Sequence, residues 1–193
     1  MRPPEAETLL AAARTLLRER GLAGVTVAAV LERTELGTRA FYRHFASKDQ
    51  LLVEVFADAT RTEVARLQSL MAVTVGPVGA VAAWVDGRLA LAFDPSVETD
   101  LKHLSEQATA LYDVAPAMMA DLCAAMMRPL IEQVTEGIDS GAFAETDPVL
   151  AAQAVADVAW ACVQRAWMLP TADPHTVREQ TKALCLRALG AAI

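Results

Sequence analysis

The amino-acid sequence predicts an all-α protein of about nine helices, with an N-terminal helix-turn-helix head and a larger helical body. Three observations carry this. Apolar residues recur at three- and four-residue spacing from end to end, alanine is abundant, and no sustained period-two alternation appears. With 193 residues, 54% of them hydrophobic, the chain can bury a sizeable core.

The first helix opens at Pro3-Pro4, where proline is tolerated. Ala6, Leu9, Leu10, Ala13, Leu16 and Leu17 form one face, Arg14, Arg18, Glu19 and Arg20 lie outside it, and Gly21 is the expected stop. Thr26 reads as the N-cap of a short second helix from Val27 to about Arg33, with Val27, Val30 and Leu31 inward. The turn "TELG" leads to a third helix, Thr38 to about Phe45. Ser47 caps a long fourth, Lys48 to about Met71, whose stripe is Leu52, Val55, Phe56 and Ala59. A fifth follows Gly76-Pro77 and breaks at Asp94-Pro95, and a sixth runs from about Val97 into Leu111. Pro116 opens a long seventh to about Ser140, kinked at Pro129 and ended by Gly141. Pro148 starts an eighth to about Leu169, Pro170 and Pro174 bracket a loop, and a ninth fills the C-terminus. The domain boundary falls in the fourth helix, dividing residues 1–48 from 49–193, so head and body share a rigid element.

Charge divides at the same place. Residues 1–48 hold eight Lys/Arg and five Asp/Glu, a net +3, whereas 49–193 hold nine and nineteen, a net −10. A small basic head on an acidic body is the pattern expected when one end meets a polyanion. Cys123, Cys162 and Cys185 are scattered and odd in number, which argues against a disulfide scaffold or zinc site and suits a reducing cytoplasm. No signal peptide is visible. The uncharged run Leu67 to Val85 approaches a membrane span in length, but Gln68, Ser69, Thr74 and Gly76-Pro77 break it into two soluble helices. No membrane partner, metal or cofactor is expected.

The stretch "GTRAFYRHFASKDQ", Gly37 to Gln50, concentrates two arginines, a histidine and a lysine around three aromatics. Phe41 and Phe45, four apart, can pin the third helix to a core, while Thr38 with Tyr42 and Arg39 with Arg43 supply an exposed face. Arginine can fork onto guanine in the major groove, and hydroxyls and lysine suit phosphate oxygens. Helix N-termini at Thr26, Gly37 and Ser47 add phosphate donors. The plain alternative is a three-helix bundle with core aromatics and solvated charges.

Residues 5–56 resemble the DNA-binding domain of the TetR family of bacterial transcriptional regulators, through "GLAGVTVAAVLERTELGTRAFYRHFASKDQLL" and especially "FYRHFASKDQL". The resemblance implies a phosphate contact at Thr26 and base-reading positions at Thr38 and Arg39. It also implies backbone contacts from Tyr42, His44 and Lys48; Arg43 reaches either a base or a phosphate. His44 has the alternative of a core-edge residue with no DNA role. Two positions depart from the family's usual pattern. Glu35 stands where glycine is common in the turn, at a cost of about 1 kcal/mol if left-handed. Gly37 stands where serine often caps the helix, leaving a backbone contact to DNA as its candidate role.

The resemblance further implies that the body binds an effector and dimerises. Candidate lining residues are Trp84, Arg88, Phe93, His103, Leu111, Tyr112, Met118, Met119, Cys123, Met126, Met127, Trp160 and Trp167. Met-rich faces adapt to irregular apolar ligands, so a mostly apolar small molecule is expected, anchored by Arg88, His103 or Tyr112. Methionines and tryptophans at helical spacing also fit simple core. A small-residue stripe, Ala152, Ala156, Ala159, Cys162 and Ala166, with Leu184, Leu186 and Leu189, suggests a four-helix dimer interface from the last two helices; the alternative is packing within one subunit. A twofold dimer implies a roughly palindromic double-stranded DNA operator, and the family favours a repressor.

Two other classes are weaker. Catalysis has little support: only His44, His103 and His175 are present, no nucleophile motif accompanies them, and Asp100-x-x-His103 lacks the second half of a di-iron signature. A helical interaction module that has lost DNA binding rests only on Glu35 and Gly37.

Overall fold

A computed structural model describes residues 2–97, 104–105, 115–169 and 173–192. Among them are eight α-helices and no strand: α1 Pro4–Gly24, α2 Val27–Thr34, α3 Thr38–His44, α4 Lys48–Ala72, α5 Gly76–Phe93, α6 Pro116–Asp139, α7 Pro148–Met168 and α8 Pro174–Ala188. The helix expected from Val97 into Leu111 lies almost wholly outside the described residues, as do His103, Leu111 and Tyr112.

Local chemistry accounts for the boundaries. Glu5 and Glu7 sit in the first turn of α1, where the helix dipole favours acids. Gly21 interrupts α1 with φ 64° and ψ −173°, so the regular helix stops where the glycine predicted. The Thr26 hydroxyl accepts from the Ala29 N–H at 3.1 Å, and the Ser47 hydroxyl accepts from the Gln50 N–H at 3.1 Å. The Gln50 side chain returns to accept from the Ala46 N–H at 2.6 Å, a variant of the capping box. Asp147 and Asp173 cap α7 and α8 in the same way. The uncharged run around Gly76-Pro77 is interrupted between α4 and α5. Among the described residues no helix is long and apolar enough to cross a membrane.

The chain forms two compact units: Met1–Arg61 with Glu98–Cys123, and Thr62–Val97 with Ala124–Ile193. The core of the first joins Leu9, Leu10, Leu16, Val30, Phe41, Phe45, Leu51, Leu52, Val55 and Phe56. Leu104 and Met119, distant in sequence, are buried in the same cluster. In the second unit α5 packs against α7 and α8, burying Val81, Trp84, Val85 and Leu89 together with Val155, Val163, Cys185 and Leu186. A Cβ on Gly87 would lie 2.7 Å from Leu67 Cδ2 and 2.9 Å from Leu70 Cδ1, so the bare backbone allows α5 to lie close to the second half of α4.

The small-residue stripe of α7 is divided: Ala156, Cys162 and Ala166 are half-buried. Ala152 and Ala159 are buried in their own chain, where their small size permits close helix packing. The outward face of α7 instead carries Leu150, Ala154, Asp157, Ala161 and Arg165, and Leu184 is exposed on α8.

Candidate nucleic-acid interface

The first unit builds the interface from α2, α3 and the start of α4. Phe41 is fully buried and Phe45 nearly so, with ring centroids 5.9 Å apart, anchoring α3 by its inner face. That fixes the opposite face outward: Thr38, Arg39, Tyr42 and Arg43 are all exposed. Tyr42 is 56% exposed although its ring meets Phe41 edge-on at 5.2 Å, leaving the hydroxyl end outward. Arg39 makes no ion pair among the described residues and keeps its donor fork available.

Flanking residues add hydroxyl and cationic donors. Thr26 is exposed, and with its oxygen accepting from Ala29, its hydroxyl hydrogen remains to donate outward. Lys48 is the first residue of α4 and is half-buried. Gly37 is the N-cap of α3 with φ −83° and makes no side-chain cap; a Cβ there would meet nothing within 4 Å. The fold itself therefore does not require glycine at this position. Glu35 lies in the left-handed region at φ 56°, the one non-glycine residue with positive φ among the described residues.

The structure adds a partner that sequence reasoning missed. Glu5, on the first turn of α1, places Oε2 3.0 Å from the Arg43 guanidinium and 3.0 Å from His44 Nε2. A carboxylate only accepts, so both nitrogens donate to it. The His44 hydrogen bond, then the Arg43 charge, holds the Glu5 carboxyl below the usual glutamate range. The His44 side chain is only 13% exposed, so it sits at the core edge as well as beside the interface. Glu5 was invisible to sequence reasoning because an acid in a first helical turn is sufficiently explained by the helix dipole.

The described candidate effector residues are shared between the two compact units. Met119 is buried in the core of the first unit, and Met118 and Cys123 belong to that unit too, half-buried and exposed respectively. Trp84, Arg88, Phe93, Met126, Met127, Trp160 and Trp167 belong to the second. There, Trp160 and Trp167 meet edge-on at 5.5 Å and the Arg88 guanidinium lies 5.6 Å from the Trp160 ring centre. Arg88 also donates to Glu63 at 2.8 Å; Glu63 is 2% exposed and further receives a two-pronged bond from Arg66. The indole N–H groups of Trp84 and Trp167 are buried without a hydrogen-bond partner. No three metal-ligating side chains come together among the described residues.

Residues 9–55 match the family model described as bacterial regulatory proteins, tetR family. No curated protein matches the sequence. Among solved structures, a bacterial regulatory protein in the tetR family from Rhodococcus RHA1 is 17% identical with a TM-score of 0.69, over 100% of both chains. GusR of Salmonella enterica is 15% identical with a TM-score of 0.79, covering 99% of this chain and 98% of that one. The transcriptional regulator FadR of Bacillus subtilis, in complex with stearoyl-CoA, is 17% identical with a TM-score of 0.75, covering 94% and 98%.

Proposed function

We propose that this chain, whose residues 9–55 match the model of the tetR family of bacterial regulatory proteins, is a dimeric, effector-responsive transcriptional repressor of that family. Residues 1–48 bind a roughly palindromic operator in the cytoplasm, and 49–193 bind the effector and dimerise. The observation that carries the reading is the α3 face: Thr38, Arg39, Tyr42 and Arg43 stand outward because Phe41 and Phe45 lock the other side. A seven-residue helix so held fits the major groove, with Arg39 reading base edges and Tyr42, Thr26 and Lys48 holding phosphates.

The effector is a mostly apolar molecule held in the second unit. Arg88 is a poor free anchor, because its charge already meets Glu63. The unpartnered indole donors of Trp84 and Trp167 favour a ligand with an uncharged acceptor such as a carbonyl or hydroxyl oxygen. Stearoyl-CoA in the FadR of Bacillus subtilis makes long acyl compounds the first to test. Two helices, α4 and α6, have one end in each compact unit, and they are the covalent route by which effector binding reaches the head.

Titrating the protein into labelled DNA from its own upstream region, at several salt concentrations, tests the reading. Affinity falls steeply as salt rises because phosphate contacts release counterions. Absence of binding at low salt would overturn it. An acyl ligand that raises the melting temperature also releases the DNA. A ligand that stabilises the protein but leaves operator affinity unchanged rules out the effector switch.

A further inference from the structure

The head carries one negative group among its outward cations. Arg43 is 58% exposed on the same face as Arg39, yet one of its donors is held by Glu5 Oε2 at 3.0 Å. The same oxygen holds His44, so a single carboxylate from α1 bridges two consecutive residues at the end of α3. Neither the core nor the helix cap needs this arrangement: Phe41 and Phe45 already seat α3, and Glu5 is itself partly exposed.

We propose that Glu5 is an intramolecular stand-in for a DNA phosphate, which holds Arg43 and His44 in the unbound head and lowers affinity for every DNA sequence alike. The proposal rests on the DNA-binding reading above. A phosphate oxygen approaching Arg43 must either displace Glu5 or share the guanidinium with it. In both cases a negative charge stays close to the incoming polyanion. A carboxylate whose bonded oxygen is engaged by Arg43 and His44 acts on the DNA through its charge, so its effect is on affinity and salt dependence rather than on sequence preference.

Two measurements test this. In the free protein, the Glu5 carboxyl carbon followed by NMR titrates below the ordinary glutamate range, and moves back towards it in Arg43→Ala. In DNA titrations, Glu5→Gln binds specific and unrelated DNA roughly three- to ten-fold more tightly at low salt, and the slope of log affinity against log salt steepens by about one. Glu5→Asp, which keeps the charge, stays near wild type. The Glu5→Gln gain shrinks in an Arg43→Ala background. Unchanged or weaker binding by Glu5→Gln overturns the proposal and makes the residue a structural prop. An ordinary Glu5 titration overturns it as well, whatever the DNA result. Wild type failing to bind DNA while Glu5 still titrates low sinks the DNA reading and with it the tuning role, but leaves the ion pair.

Discussion

Arg39 and Tyr42 occupy one exposed face, but they differ in what they can recognise. A guanidinium fork can pair with two acceptors on a guanine edge, whereas a phenol hydroxyl is suited to a single phosphate oxygen. Arg39→Ala is therefore expected to relax base preference at particular operator positions. Tyr42→Phe is expected to weaken binding to all sequences by a similar factor. Binding to a set of single-base operator variants separates the two, and an even loss from Arg39→Ala removes its base-reading role. Glu35 stores a small strain at the C-terminal end of α2, with φ 56°. Asparagine tolerates that conformation without glycine's extra chain entropy, so Glu35→Asn raises stability by about 0.5 kcal/mol in urea unfolding. Both sites were largely legible in the sequence: hydropathy spacing placed Arg39 and Tyr42 outward, and the missing turn glycine flagged Glu35. The Glu5 bridge was not legible, because it joins residues 38 and 39 positions apart through the packing of α1 on α3.

At the scale of elements, the second unit depends on ion pairs that tie its helices. Glu63 of α4 is buried and answers Arg66 on its own helix and Arg88 on α5, while Arg66 also reaches the Gly87 carbonyl at 2.7 Å. Removing that one acid takes a buried carboxylate partner from two guanidinium groups at once. Glu63→Gln is expected to lower stability by roughly 3 kcal/mol, the low end for a broken buried pair, since Arg66 can regain water. A chemical-denaturation midpoint equal to wild type would contradict this. On the other side of α5, Asp86 receives Arg178 of α8 at 2.9 and 2.5 Å, with Lys182 at 3.6 Å. The Arg178 hydrogen bonds, opposed by partial burial, hold the Asp86 carboxyl below the usual aspartate range. A depressed folded-state value stabilises the protein above the unfolded value near 4 and is lost as pH falls through the folded one. The stability gap between wild type and Asp86→Asn should accordingly be full at pH 7 and close as pH drops below about 4. A gap that persists undiminished at the lowest pH where the protein stays folded contradicts the linkage.

For the whole molecule, the outward faces of α7 and α8 carry Leu150, Ala154, Asp157, Ala161, Arg165 and Leu184. In the proposed dimer these faces meet across a twofold axis, which brings like residues near one another. Leu184→Glu with Leu150→Glu would place four carboxylates in that interface. The variant is expected to be monomeric in light scattering at concentrations where wild type is dimeric, with helical content unchanged. Its affinity for a full operator falls far more than for a single half-site, because the two heads no longer bind as a linked pair. A variant that remains dimeric moves the interface elsewhere.

By itself, the sequence determined the helical class, the order and limits of the elements, the outward face of α3 and the charge division. These depend on periodicity, capping residues and proline or glycine punctuation, all of which act within a few positions along the chain. Only the tertiary structure showed that Ala152 and Ala159 of the α7 stripe are buried within their own chain, since small residues suit close packing inside a subunit as well as between two. It alone joined Leu104 and Met119 to the head's core and gave Arg88 to Glu63 and Arg43 to Glu5. Such pairings are long-range: each needs two helices already docked, and no local pattern encodes which charge will meet which.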